Sequence, residues 1–202
     1  MRVLFFVALI FGLATPSLAP AEDADKNAAP FGLIWAASAA DTRSLGIDLQ
    51  EVPTKDFGVS YVATKLPKIL SDAGTVFVSF GYDDKLWRVA AISKKFDNDP
   101  PGVSVRGRYD ELSSVLAEKY GKGQQFHSQD TQLWKKSDEF IMGISAGRSK
   151  WYTNFDTNLL FIQLGIIAGD MSTAQWRIAT GGPHHDGRSV PGWQEKWLVD
   201  RV

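Results

Sequence analysis

TVFVSFGYDDKLWRVAAISKKF, residues 75–96, reads as a β-hairpin. Residues 75–82 alternate in polarity, with Val76, Val78 and Phe80 on one face. Asp83, Asp84 and Lys85 supply the turn, because Asp tolerates turn geometry and bonds its own backbone. On the returning strand, 86–96, Leu86, Arg88, Ala90 and Ile92 share one face. Trp87, Val89 and Ala91 share the other. Both faces of that strand are partly apolar, which predicts a central place in the sheet.

Downstream, residues 97–107 with Pro100-Pro101-Gly102 read as a loop. Residues 109–120 carry the strongest helical signal in the chain. Tyr109, Leu112, Val115, Leu116 and Tyr120 fall on one stripe, with Gly121 as the stop. A polar loop follows. Short apolar runs then predict strands at 132–135, 140–145, 150–155, 159–167 and 174–179, separated by turn residues. Upstream, Phe31, Leu33 and Trp35 alternate as a short strand would. Ser38 with Asp41 reads as a helix start, 39–45 as the helix, and Gly46 followed by Ile47 as its end. Residues 53–58 are a loop, 59–66 a strand ended by Pro67, and 71–74 a turn.

These readings predict one α+β domain over residues 31–180. It is an antiparallel sheet of about six or seven strands with two helices packed on one face. The remainder divides into 1–21, 22–30 and 181–202. Arg2 followed by an apolar run at 3–14, a break at Pro16-Ser17, and Ala19-Pro20-Ala21 predict a signal peptide cleaved before Glu22. That run is too short to span a bilayer, which takes about twenty apolar residues. Residues 22–30 read as a flexible linker. Residues 181–202 read as a flexible tail, with a short helix around Trp193 and Trp197 as the alternative. The expectation is a periplasmic or secreted protein with no stable membrane insertion after cleavage.

Composition narrows the chemistry. The chain of 202 residues has no cysteine, which excludes disulfides, thiol nucleophiles and Cys-ligated metal. A net charge of −1 gives no general pull toward nucleic acid. No phosphate-binding glycine loop, nucleophile elbow or HExxH helix is written in the sequence. No catalytic or metal residue is assigned, no cofactor is implied, and the binding residues are left open. The candidates weighed each have a plainer reading. His184, His185 and Asp186 read as tail, and His127 as a residue of a polar loop. Asp83-Asp84 and Asp156-Thr157-Asn158 read as turns, and Lys94-Lys95 and Lys135-Lys136 as strand ends. Arg148, Lys150, Trp151 and Tyr152 mix positive charge with aromatics, a mixture that suits single strands or anionic glycans as well as ordinary strand ends.

Phe31-Gly32-Leu33-Ile34-Trp35, Ser38 and Gly46, with Tyr109, Leu112, Leu116, Lys119, Tyr120 and Gly121, together resemble a loose group of uncharacterised bacterial secreted proteins. These share an FGLxW(G)xS opening and a YxxLxxxLxxKYG helix, and Ala36 stands here where the group has Gly. The resemblance implies an envelope protein that acts by binding another protein, and it carries no catalytic residue. The first functional expectation is therefore a non-enzymatic binding protein of the bacterial envelope, with another envelope protein as partner. The alternatives are a hydrolase or carbohydrate-active protein with a shallow cleft, and a carrier of a small apolar ligand.

Overall fold

A computed structural model describes residues 27–53, 58–81, 83–129, 139–157 and 160–182. The leader, the strand expected at 132–135, and the tail with its two histidines lie outside the described residues.

The fold is α+β, built on one antiparallel sheet in the order β1-β2-β3-β4-β8-β7-β6-β5. The strands are β1 (Asp48–Val52), β2 (Val59–Thr64), β3 (Ala73–Phe80), β4 (Leu86–Ser93), β5 (Gln124–Ser128), β6 (Lys150–Asp156), β7 (Phe161–Ala168) and β8 (Ala174–Gly181). The helices are α1 (Ala39–Ser44), α2 (Val103–Tyr120) and α3 (Phe140–Ser145). Among the described residues, eight strands and three helices stand where six or seven and two were expected. The chain climbs the sheet as a meander from β1 to the central β4. It crosses by way of α2 to the far edge at β5 and meanders back until β8 closes on β4. The hairpin of β3 and β4 forms as predicted, and β4 is central.

The strand register sorts side chains between two faces. Val78 pairs Val89, Val89 pairs Thr180, Thr180 pairs Ile162, and Ile162 pairs Phe155. Strand residues alternate in direction, so these positions share one face. All three helices pack on it. Tyr109 of α2 bonds Thr153, Phe140 of α3 meets Trp151 edge-on, and the Arg43 guanidinium of α1 lies over Tyr61. The core forms between them, from Val76, Val78, Val89, Ala91, Leu164 and Trp176 on the sheet and Val105, Tyr109, Phe140 and Ile141 on the helices. Each such large side chain, once buried, contributes about 1.5–3 kcal/mol.

Several expectations are corrected. Residues 31–35 are not a strand. Pro30–Gly32 is a 3-10 turn with Phe31 at φ 62, and only Ile34 bridges, to Ala28. Pro at the first position and Gly32 at φ 80 favour the turn, yet Leu33 and Trp35 are buried. Residues 140–145 form a helix, because Ile141 N–H donates to Pro100 O and its turn packs beside α2. α2 starts at Val103, six residues before the expected start. The Asp99 carboxylate accepts from the N–H groups of Val103, Ser104 and Val105, and so fills the donors a helix start leaves unpaired. Val115 is not on the buried stripe but 61% exposed. Of the two edge strands, β5 stands where the sequence reads as a polar loop, and β1 lies at Asp48–Val52, between the expected helix end and the loop at 53–58. β3 starts at Ala73, inside the expected turn. α1 agrees with expectation in detail: Ser38 and Asp41 form a reciprocal capping box, and Gly46 takes φ 82.

Candidate functional site

The helices leave the other face of the sheet without a described element across it. Three parallel rows of side chains run over that face. The middle row is Val62, Phe77, Ala90, Ala179, Gln163, Asn154 and Gln124. On one side lie Ser60, Ser79, Arg88, Gly181, Phe161 and Asp156. On the other lie Ile92, Arg177, Gly165, Tyr152 and Phe126. Apolar rings therefore alternate with amides and guanidiniums. Phe126 and Tyr152 stack at 4.8 Å across the last two strands.

A polar relay holds the middle row. Arg177 Nη2 donates to Gln163 Oε1 at 3.3 Å, and Gln163 Nε2 donates to Asn154 Oδ1 at 3.1 Å. Burial, together with the charge of Arg88, holds the Arg177 guanidinium below its ordinary value. Ser60 and Ser79 share a hydrogen bond of 2.9 Å in the adjoining row. Small residues, Ala90 and Ala179, lie between the two arginine-bearing rows, and Ala179 is only 1% exposed.

At the corner of this face is a shallow depression of about 160 Å³, lined by Lys122, Gln124, Asn154, Asp156 and Phe161. Pockets that enclose drug-sized ligands run to about 300–1,000 Å³ and are mostly apolar. This one is smaller and polar, and it lies on the side of the sheet away from the helices. It offers little to the apolar-carrier alternative. It does join two ionisable side chains, Lys122 and Asp156, as a shallow-cleft reading requires.

The other face carries a second cluster at the same edge. His127, read from sequence as a loop residue without partners, lies on β5 opposite Trp151. Its ring stacks flat on the indole at 3.9 Å and 4°. Its Nε2 lies 3.0 Å from the Tyr109 hydroxyl, which also bonds the Thr153 hydroxyl. The Arg106 guanidinium stands over the Trp151 ring at 5.0 Å. Burial pushes the Tyr109 phenol up to about 12. Burial likewise pushes His127 down, with Asp110 opposing and Arg106 adding. A phenol held so high is a poor acid and stays protonated near neutral pH. No carboxylate hydrogen-bonds the imidazole among the described residues, so the cluster lacks the orienting group of a nucleophile relay. What it does is clamp the edge strand to α2.

The other residues weighed from sequence are dispersed. Asp83 pairs weakly with Lys85 at the hairpin tip. Asp84, at φ 54, accepts from Ala39 N–H at the start of α1. Lys94 donates to Ser71 O. Of Arg148, Lys150, Trp151 and Tyr152, Trp151 turns to the helices and Tyr152 to the open face, so alternation splits that group. Asp156 is the one weighed carboxylate that reaches the depression, alongside residues sequence reasoning missed. The missing signal was the register of β5 on β6, which no local pattern carries. Among the described residues no cluster of His, Asp and Glu is placed to hold a metal ion, and no helix is long and apolar enough to cross a membrane. Comparison with protein-family models, curated proteins and solved structures finds no match to the chain.

Proposed function

We propose that the chain is an exported binding protein of the bacterial envelope that acts without catalysis and engages another envelope protein through the helix-free face of its sheet. The leader pattern at 1–21 supports export. One observation carries the docking reading: all three described helices crowd one face of an eight-stranded sheet. The opposite face sets Phe77, Ile92, Phe126, Tyr152 and Phe161 around Arg88, Arg177, Gln163 and Asn154. Aromatic and arginine side chains among small residues are the composition of protein-binding hot spots.

The test is affinity capture from envelope extract with wild type and with the double variant Phe126→Ser, Tyr152→Ser. These rings lie at the sheet edge, so the fold tolerates their loss. The reading predicts a discrete partner, recovered at least about tenfold less by a variant of unchanged circular dichroism. Equal recovery by the two proteins would overturn it.

A further inference from the structure

We propose that the corner depression of the helix-free face is a binding subsite for a neutral sugar ring. The inference goes beyond protein docking and stands without it, because it concerns five residues at one edge.

The depression is built by register. Gln124 of β5 pairs Asn154 of β6, and Asp156 of β6 pairs Phe161 of β7, so four side chains emerge on one face, stepped across three strands. Lys122, two residues before β5, completes the rim. Beyond Phe161 the register places Gly181, where an added Cβ would meet nothing within 4 Å. Space therefore continues beside the Phe161 ring. Asn154 is held by its Oδ1, which accepts from Gln163, so its NH2 group is left to serve the depression. Lys122, Gln124 and Asp156 form no side-chain hydrogen bond or ion pair with another described residue.

The donor and acceptor set selects the ligand class. Lys122 only donates, ionised Asp156 only accepts, and Gln124 does both. A ligand anion would meet the Asp156 carboxylate, and a ligand cation would meet the Lys122 ammonium. A neutral molecule rich in hydroxyls satisfies all of them, since each hydroxyl donates once and accepts twice. The Phe161 ring, partly exposed, gives the apolar C–H face of such a ring a surface to lie on. One sugar ring in a half-open depression of about 160 Å³ is the matching occupant. Among the described residues a single carboxylate lines the depression, where glycoside hydrolysis takes a pair. The subsite therefore binds and does not cleave.

The experiment is a two-dimensional NMR titration of the exported chain with cellotetraose, maltotetraose and chitotetraose, and with galacturonate as the acidic comparison. Side-chain NH2 signals of Gln124 and Asn154 report on the site directly. The proposal predicts saturable shifts of both signals with at least one neutral tetraose. Affinity should fall about tenfold in Asp156→Ala and in Lys122→Ala, both surface substitutions that spare the fold. Absence of shifts with all three neutral probes would overturn it. So would binding of galacturonate alone, or unchanged affinity in Asp156→Ala. The result separates from the docking reading, because envelope capture by Asp156→Ala tests that independently. In Asp156→Ala, loss of sugar binding with capture retained supports the subsite and leaves the docking reading as it was, whereas loss of capture with sugar affinity unchanged overturns the subsite alone.

Discussion

Asp72 ties three elements together with one carboxylate. It accepts two hydrogen bonds from Arg108 of α2, at 2.8 and 3.0 Å, and a third from the Trp176 indole of β8 at 2.8 Å. The Arg108 hydrogen bond, aided by Trp176 and opposed by burial, holds its carboxyl below the ordinary 3.8. A lowered folded-state value gives stability that is present above pH 3.8 and lost as pH falls through the folded value. Asp72→Ala should cost about 2 kcal/mol at neutral pH, much of it from the indole N–H left unpaired. Urea denaturation of wild type and variant checks the cost; a change in midpoint within error would contradict it. His127 acts with the same sign at higher pH. Its folded-state value is below the unfolded 6.5, so the unfolded chain takes up the proton first. Stability should fall as pH drops through 6.5, and His127→Gln should flatten that dependence. Denaturation midpoints across about pH 5–8 decide the matter, and parallel profiles for the two proteins would refute the assignment. Ser38→Ala removes the α1 cap and should cost about 1 kcal/mol. Partner capture per folded molecule should not change, since Ser38 lies on the helix side.

Elements were legible where their signals are local. Ser38, Asp41 and Gly46 name the two ends of α1 because capping is written within four residues. The hairpin was legible for the same reason. FIMGIS at Phe140–Ser145 was not, because an apolar run of six fits a buried strand or a buried helix equally. The hydrogen bond from Ile141 N–H to the Pro100 carbonyl, 41 residues away in sequence, decides it. The local helix signal begins six residues late because Asp99 caps α2 through a Pro-Pro-Gly turn that looks like a loop. Gly102 stands at φ 69 there, and an added Cβ would run into the Phe140 ring. Gly102→Ala should therefore loosen the α2 and α3 junction and lower the melting temperature more than Asp99→Ala, which loses capping worth about 1–2 kcal/mol. Thermal scans of both variants provide the comparison; equal losses would show that the crowding at Gly102 relaxes freely. β1 and β5 give no local strand signal, because edge strands carry polar residues on both faces, which shields open edges from aggregation. With β5 unread, the companions of His127 and the corner depression were out of reach.

At the scale of the molecule, the return of β8 to β4 makes one continuous sheet from two meanders. The helix α2 that links them must cross one face, and α1 and α3 follow it there. The opposite face is thereby left without a described helix. The docking claim is about that asymmetry, so the direct measurement is site-specific photo-crosslinking in living cells. A photoreactive residue at Tyr152 samples the helix-free face, and one at Val115, 61% exposed on α2, samples the helix side. The account predicts a discrete crosslinked adduct from Tyr152 and none above background from Val115. Adducts of equal yield from both positions, or from Val115 alone, would contradict it.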